Sequence, residues 1–528
     1  MVLGKNTATP IRMSYYFTEE HQLFRQGLRQ FLDKEVRPNI DQWEEQRRIP
    51  KALWQKFGDM GYLGLNFPEE YGGVNADFFY SVVFIEEICR CESGGFAIAP
   101  IVMQYMATPY ILQHGSEVLK QKYLPGAIAG EVVSSIAISE PGAGSDVANI
   151  KTRAIRDGDH YIVNGSKTFI TNGVYGDILI TVVKTDPEAG AGGISLLVID
   201  RQAEGVSATK LKKLGWHASD TAELAFDNVR VPAENLIGLE GQGFYYLMGG
   251  LQLERLAGAI MAVSGADYAL QYALQYMSQR EAFGRPINKF QVLRHRIADL
   301  ATEIETTRYF VYHLARVHND GGYAVKECSM AKLKASELSD QVMYQCLQFF
   351  GGYGYMEEYK VARMFRDSRI GTIGGGTSEI MREIIAKMVI DDRQYRRSDA
   401  AVPTPGAASS QPFAHEPQPG SGVKVEESTK VDLATLTQLV RMRSKGVKPI
   451  GATLKFRFDQ GAIHLDGTGE TNEISNQDGE AQCTISAKLE DFSAIIKGEK
   501  DPLSAFMEGK FQVEGDMSLA MKLPQLFR

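Results

Sequence analysis

Residues 244–280, FYYLMGGLQLERLAGAIMAVSGADYALQYALQYMSQR, run without a proline. Between Glu240 and Asp267 the only charges are Glu254 and Arg255, set among Leu, Met, Ala and Gly on all sides. A helix that apolar all round is normally a buried one. Further long helical runs span 292–318 and 327–348, the last after Gly321-Gly322. Upstream, residues 18–130 are helical too. Thr18 with Glu19 and Glu20 opens a run in which Phe24, Leu28, Phe31 and Leu32 fall at helical spacing, and Pro38 closes it. Phe78 to Cys89 is a second helical stretch, apolar on most faces. Between these regions the period changes. VVSSIAIS, KTRAIRD, HYIVNG, DILITVV, ISLLVID and TAELAFDNVRV, all within 131–235, are short, β-branched and separated by turn residues. Asp157-Gly158-Asp159 is a hairpin signal. The expected order is helix, β, helix, with the outer segments packed together and the β segment forming its own domain.

The chain has 528 residues, 44% apolar and 23% charged, with a net charge of −8. That balance excludes general disorder and a small disulfide scaffold. It argues against nonspecific nucleic-acid binding, while leaving room for a local basic patch that meets an anionic ligand. The five cysteines contain no pair of CxxC units and the nine histidines do not cluster, so neither disulfides nor a metal site are expected. No apolar run reaches the roughly 18 residues of a membrane span. The N-terminus has no apolar signal core, and Leu526-Phe527-Arg528 is not the peroxisomal Ser-Lys-Leu address, so the expected location is the cytoplasm. Residues 15–130, 131–238 and 239–393 are the expected helical, β and helical domains. The Pro-, Ser- and Gly-rich stretch 394–429 is the expected flexible linker, and 430–528 an α+β domain. In that domain LATLTQLVRMR and LEDFSAIIKG are expected as helices, ATLKFRF, AIHLDG, AQCTISAK and KFQVEG as strands, Asp501-Pro502 as a helix start and SLAMKLPQLF as a closing helix.

Five segments carry chemistry. Ser139-Glu140-Pro141-Gly142-Ala143-Gly144-Ser145-Asp146 ends a strand. It reads either as a plain turn or as a nest of N–H groups with two hydroxyls for an anion. Ser166-Lys167-Thr168-Phe169-Ile170-Thr171-Asn172-Gly173 is either a strand with a buried Phe or an aromatic placed to flank a planar ring. Gly351-Gly352-Tyr353-Gly354-Tyr355 precedes Ile373-Gly374-Gly375-Gly376-Thr377-Ser378-Glu379-Ile380, a glycine loop entering a helix, which suits a phosphate or a developing oxyanion. Glu254 is either in a structural ion pair with a distant residue or a general base tuned towards neutrality. Arg255, about 100° round the helix, is not its natural partner. Arg280 to Ile287 with Phe290-Gln291 reads as a helix end, a turn and a new helix. Its arginines are either solvated or phosphate-facing, with Phe283 able to stack on a ring.

Taken together, SEPGAGSD, the FITNG segment, ERLAGA, REAFGRPI, GGYGY and RMFRDSRIGTIGGGTSEI, with PEEYGG at 68–73, resemble the acyl-CoA dehydrogenase family over about residues 15–393. The resemblance implies an α-helical domain, a β-barrel-like domain and an α-helical bundle. It also implies noncovalent FAD and a coenzyme A thioester substrate. Ile136, Ile138, Ser139, Gly144 and Ser145 match the strand and turn that hold the flavin. Phe169, Ile170 and Thr171 match the segment flanking its ring, and Thr377 and Glu379 the contacts beyond the glycine loop. Arg280, Phe290, Gln291, Gln348 and Gly352 match positions reaching the FAD of a neighbouring subunit, which implies a homodimer or homotetramer, and Phe283 is a further candidate cofactor contact. Ser145, Arg255 and Gly376 match substrate contacts, and the backbone N–H near Gly375 matches the oxyanion donor.

One departure matters. Many members carry the base as a Glu in the glycine loop, where this chain has Gly374-Gly375-Gly376. The long-chain and isovaleryl branch keeps it on the long helix in a Glu-Arg-Leu sequence, and here Glu254-Arg255-Leu256 stands there. Glu254 is therefore the expected base, with a pKa lifted by burial to ~6–7. The loop glycines leave space compatible with a longer acyl chain. The tail resembles the sterol-carrier-protein domain, which implies a lipid or acyl-CoA ligand. The expected reaction is α,β-dehydrogenation of a medium-to-long acyl-CoA in β-oxidation, with electron-transfer flavoprotein as acceptor. The rivals are an oxygen-using acyl-CoA oxidase and a lipid carrier on an inactive dehydrogenase scaffold.

Overall fold

The computed structural model describes residues 15–390 and, in the tail, 433–444, 449, 451–469, 471–477, 479–496, 511–516 and 519. The expected linker, the Asp501-Pro502 helix start and nearly all of the expected closing helix fall outside the described residues. Two compact units divide the chain, residues 1–383 and 384–528.

The first unit opens with helices α1 (Glu19–Glu35), α2 (Ile40–Gln46), α3 (Lys51–Asp59), α4 (Phe78–Cys89), α5 (Gly94–His114) and α6 (Glu117–Ile128). Thr18 caps α1 by accepting from the His21 N–H. The run α5 contains a π segment, Val102–Ala107, between α-helical turns. It is long and apolar enough in composition to cross a membrane, but 89% of that window is buried inside the protein. After the strands come α7 (Gly243–Gln279), α8 (Gln291–Asn319), α9 (Val325–Phe350), α10 (Lys360–Ser368) and α11 (Ser378–Ile390). Phe84, Phe96 and Ile101 of the early helices share one core with Leu256, Ile260, Val311 and Val342 of the late ones. The outer segments thus pack on each other, as their apolar faces require.

The β segment is an eight-stranded sheet in the order β6-β7-β3-β2-β4-β5-β8, with β1 laid parallel on β4. Its strands are β1 (Ser134–Ala137), β2 (Arg153–Asp157), β3 (His160–Thr171), β4 (Ile178–Lys184), β5 (Ile194–Asp200), β6 (Val206–Lys210), β7 (Thr221–Pro232) and β8 (Leu236–Ile237). Alternate residues of these strands, Tyr161, Val163, Leu179, Leu197, Leu224 and Phe226 among them, enclose a separate core. β4 and β5 are buried on both faces except at one end, which explains why they read as unbroken apolar runs. β6 and β8 are not among the expected strands, and β3 joins HYIVNG to the segment beginning at Ser166, whose strand reading holds as far as Thr171.

Asp367 of α10 fastens the sheet to the helices. It accepts from the backbone N–H of Gly94 (2.9 Å) and of Trp216 (2.6 Å). Gly94 leaves room for that loop, since a Cβ there would lie 2.5 Å from Trp216 Nε1.

The second unit holds α12 (Leu433–Ser444), β11 (Thr453–Phe458), β12 (Gly461–Asp466), β13 (Glu473–Ser475), β14 (Cys483–Ala487), α13 (Leu489–Ile496) and β15 (Phe511–Gly515). The sheet order is β13-β12-β11-β14-β15. Phe492 of α13 packs 4.7 Å from Phe456 and 5.4 Å from Phe458, so this helix covers one sheet face. Among the described elements of this unit, β13 alone has no counterpart in the expected helices and strands.

Candidate active site

Strand β1 leads into the turn 139–146, and the turn is held from beneath. Lys167 is fully buried, and its ammonium donates to the Ile138 carbonyl (2.9 Å) and to Glu140 Oε1 (2.8 Å). Glu140 also accepts from the N–H groups of Lys151 and Thr152. Lys167, by charge and hydrogen bond, offsets the burial penalty and holds the Glu140 carboxyl below its ordinary range. Burial pulls the ammonium down to about 8. The one acidic side chain at the head of the turn is thus drawn inward. Gly142 and Gly144 face open space, and Ser145 is exposed.

The second segment meets the first directly. The Thr168 N–H donates to the Ser139 carbonyl at 2.9 Å. The β3–β7 register slips between Lys167 and Ile170, and in that bulge Phe169 takes φ +65. A left-handed Phe is strained, and a bulge re-aims its side chain. Phe169 is 71% exposed, standing off the sheet beside the turn, so the buried-Phe reading is wrong. Ile170 turns into the sheet core and Thr171 is half-buried. Asn172 then ties the strand to α5 through the Ala99 carbonyl (3.1 Å).

The same helix α5 reaches Glu254. Thr108 and Ser134 share a hydroxyl hydrogen bond (2.7 Å), which seats α5 on β1. Two residues on, the Tyr110 hydroxyl donates to Glu254 Oε1 at 2.8 Å. Glu254 is 7% exposed, and among the described residues it makes no ion pair. Burial lifts its pKa to about 7, against the opposing effects of the Tyr110 hydrogen bond and the Arg255 charge. Arg255 points elsewhere: its guanidinium donates to Ser329 Oγ (3.3 Å) of α9, and its Nε is buried without a partner. Lys332, one turn along α9, donates to the Gly376 carbonyl (2.5 Å). A chain of contacts thus runs from the base through Arg255 and α9 to the glycine loop.

In that loop Gly375 (φ +66) and Gly376 (φ +95) are both left-handed. A Cβ on Gly376 would lie 2.6 Å from Met381 Cε, whereas one on Gly375 would meet nothing. Crowding is therefore not what keeps a carboxylate out of position 375. Thr377 Oγ1 accepts from the Ile380 N–H, and Glu379 lies exposed in the first turn of α11.

Arg280 to Ile287 is a small hairpin, not a bare turn: β9 (Glu281–Ala282) pairs with β10 (Arg285–Pro286). Phe283 and Gly284 take positive φ, the two-residue turn that matches strand twist. Phe283 is left 95% exposed, edge-on to Phe290, and Arg280 lies over the Tyr353 ring. Gln291, Gln348 and Gly352 are exposed as well. Tyr110, Lys332 and the Lys167–Glu140 pair had no role in the sequence reading. The one signal for Tyr110 was Gly249-Gly250, a costly pair inside a helix one turn before Glu254.

Comparison with known proteins follows the same division. Models of the acyl-CoA dehydrogenase N-terminal, middle and C-terminal domains match residues 18–131, 135–229 and 241–390. The SCP-2 sterol transfer family matches 433–528. The mitochondrial long-chain specific acyl-CoA dehydrogenase of Sus scrofa is 41% identical over 391 residues, 73% of this chain and 90% of that protein. Mitochondrial isovaleryl-CoA dehydrogenase of Oryza sativa is 39% identical over 377 residues, 71% of this chain and 92% of that protein. The crystal structure of an acyl-CoA dehydrogenase from Geobacillus kaustophilus matches with a TM-score of 0.69 at 46% identity, covering 71% of this chain and 99% of the other.

Proposed function

The chain belongs to the acyl-CoA dehydrogenase family, and from that premise we propose that it converts a medium-to-long fatty acyl-CoA into the trans-2-enoyl-CoA in β-oxidation, with Glu254 as base. The observation that carries the reading is a lone buried carboxylate with a pKa near neutrality on the long helix, in a chain whose glycine loop has no carboxylate of its own.

The family's cofactor is FAD, and the residues here fit such a group. Phe169 stands out beside a turn whose glycines admit close approach, and the Glu140 charge is pulled away beneath it. Ser139, Ser145 and the turn N–H groups would hold the anionic part, with Phe169 and Thr171 against the ring. When bound, FAD supplies the acceptor for the β-hydride. Glu254 removes the α-proton, which ends on its carboxylate. That proton is weakly acidic, so the Gly375 N–H polarises the thioester carbonyl and stabilises the negative charge developing on its oxygen. Lys332, donating to the Gly376 carbonyl, holds the loop that presents this N–H. Arg255 supplies positive charge one residue from the base.

Open space at Gly375 supports a long or bulky acyl chain. So does the appended sterol-transfer domain, which raises the local concentration of bound acyl chains. The exposed cluster of Arg280, Phe283 and the Gly351–Tyr355 turn supports assembly of a homodimer or homotetramer, where Phe290, Gln291 and Gln348 approach a neighbour's cofactor. Electron-transfer flavoprotein is the acceptor in this reading. The test is anaerobic bleaching of the FAD-loaded chain by acyl-CoAs of graded length, followed by reoxidation with that flavoprotein or with oxygen. Bleaching that peaks at medium-to-long chains and reoxidation by the flavoprotein support the reading. Peroxide as the main product assigns an oxidase, and no bleaching with any thioester assigns a carrier.

A further inference from the structure

We propose that Tyr110 is a positioning residue for the base: its hydroxyl fixes one carboxylate oxygen of Glu254 and leaves the other to take the α-proton. The inference rests on the assignment of Glu254 made above and adds a second residue to it.

Three features build the contact. The π segment Val102–Ala107 changes the phase of α5 just before its last turns. Those turns then offer Thr108 to Ser134 of β1, and Tyr110 and His114 to α7. Gly250 lies one turn before Glu254 on α7, and a Cβ there would stand 2.3 Å from the Tyr110 hydroxyl and 2.6 Å from Cζ. Glycine inside a helix costs about 1 kcal/mol against alanine, and here it makes the space the phenol occupies. Finally, burial and the Glu254 charge push the phenol well above its ordinary pKa, so it acts as a donor throughout the working range.

The surroundings leave this hydrogen bond in control of the base. From its own helix Glu254 faces the Arg255 charge. Cys328 and Lys332 of α9, with Tyr323 before it, stand around Arg255. His114 stacks on Tyr246 at 4.0 Å, and burial takes its pKa down to about 4. Lys332 sits at about 8, on the alkaline side of Glu254. A donor favours the carboxylate over the acid, so Tyr110 holds down a pKa that burial raises.

The test uses the FAD-loaded full chain as wild type, Tyr110→Phe, Gly250→Ala and Glu254→Gln. The infrared band of the protonated buried carboxyl, identified by its loss in Glu254→Gln, is titrated without substrate. Its midpoint is expected to rise by about one pH unit in Tyr110→Phe. Gly250→Ala, which keeps the hydroxyl but displaces it, moves it the same way. The acid limb of flavin reduction by dodecanoyl-CoA shifts in parallel, and the plateau falls about tenfold. A purely structural role lowers the rate equally at every pH and leaves the band in place; that result in both variants overturns the proposal. Full activity in Glu254→Gln instead overturns the assignment of the base.

Discussion

Replacing Lys167 with Met takes a fully buried ammonium away from the Ile138 carbonyl (2.9 Å) and Glu140 Oε1 (2.8 Å). Two groups then lose their partner, one of them a buried carboxylate. Breaking a buried ion pair from one side costs about 3–5 kcal/mol. Glu140 keeps the N–H groups of Lys151 (2.6 Å) and Thr152 (2.9 Å), which places the loss at the lower end, about 3 kcal/mol. A unit of this size loses roughly 0.8 kcal/mol per degree at its midpoint, so the Tm should fall by about 4 °C. Because the same lysine shapes the turn that meets Thr168, FAD affinity should fall about tenfold or more, near 1.4 kcal/mol. Lys167→Met combined with Glu140→Gln removes the stranded charge and should recover at least half of the lost stability. Thermal unfolding followed by circular dichroism, with FAD release titrated in parallel, reads all of these. A single variant within about 1 °C of wild type, or a double variant below the single, refutes the argument.

Phe169→Gly relieves a left-handed backbone at an exposed position, so the FAD-free chain should hold its stability or gain up to ~1 kcal/mol. FAD binding should weaken in the same variant, and unchanged binding removes Phe169 from the cofactor site. Gly376→Ala puts an L residue at φ +95, beyond the left-handed region such residues adopt, and also makes Met381 Cε give way, so it should lower flavin reduction at least tenfold. Gly375→Ala, at φ +66 and in open space, should cost only about 1 kcal/mol of stability. Equal effects of the two, measured by single-turnover reduction and thermal melts, contradict the account of the loop.

The fold was legible where burial imposes a period. The charge-poor run at 244–280 became α7, and the β-branched runs became strands almost at their expected limits. What stayed hidden was set by contacts between distant segments. β6 alternates half-buried and exposed residues, and β8 is two residues long, so neither gives an apolar signal. The hairpin at Phe283 depends on a non-glycine residue at positive φ, which composition does not announce. Glu254 was visible because it is a charge where none belongs. Its partner Tyr110 was not, since a tyrosine among apolar helix residues looks like core until Gly250 across the contact is seen to make room for it. Lys167 and Glu140 stood inside quoted motifs, yet nothing in sequence pairs residues 27 positions apart.

The central claim is that Glu254 takes the α-proton as a carboxylate. Its pKa is raised to about 7, so the ionised form is lost as pH falls through that value, and activity must fall on the acid side. The most direct measurement is the single-turnover, anaerobic rate of flavin reduction by a saturated acyl-CoA, from pH 5 to 8, in wild type and Glu254→Gln. The expected wild-type rate rises with pH to a plateau with its midpoint near 7, and Glu254→Gln is slower by at least ~10³-fold while still binding FAD. A Glu254→Gln chain that reduces its flavin at the wild-type rate, or a wild-type rate flat across that range, contradicts the account.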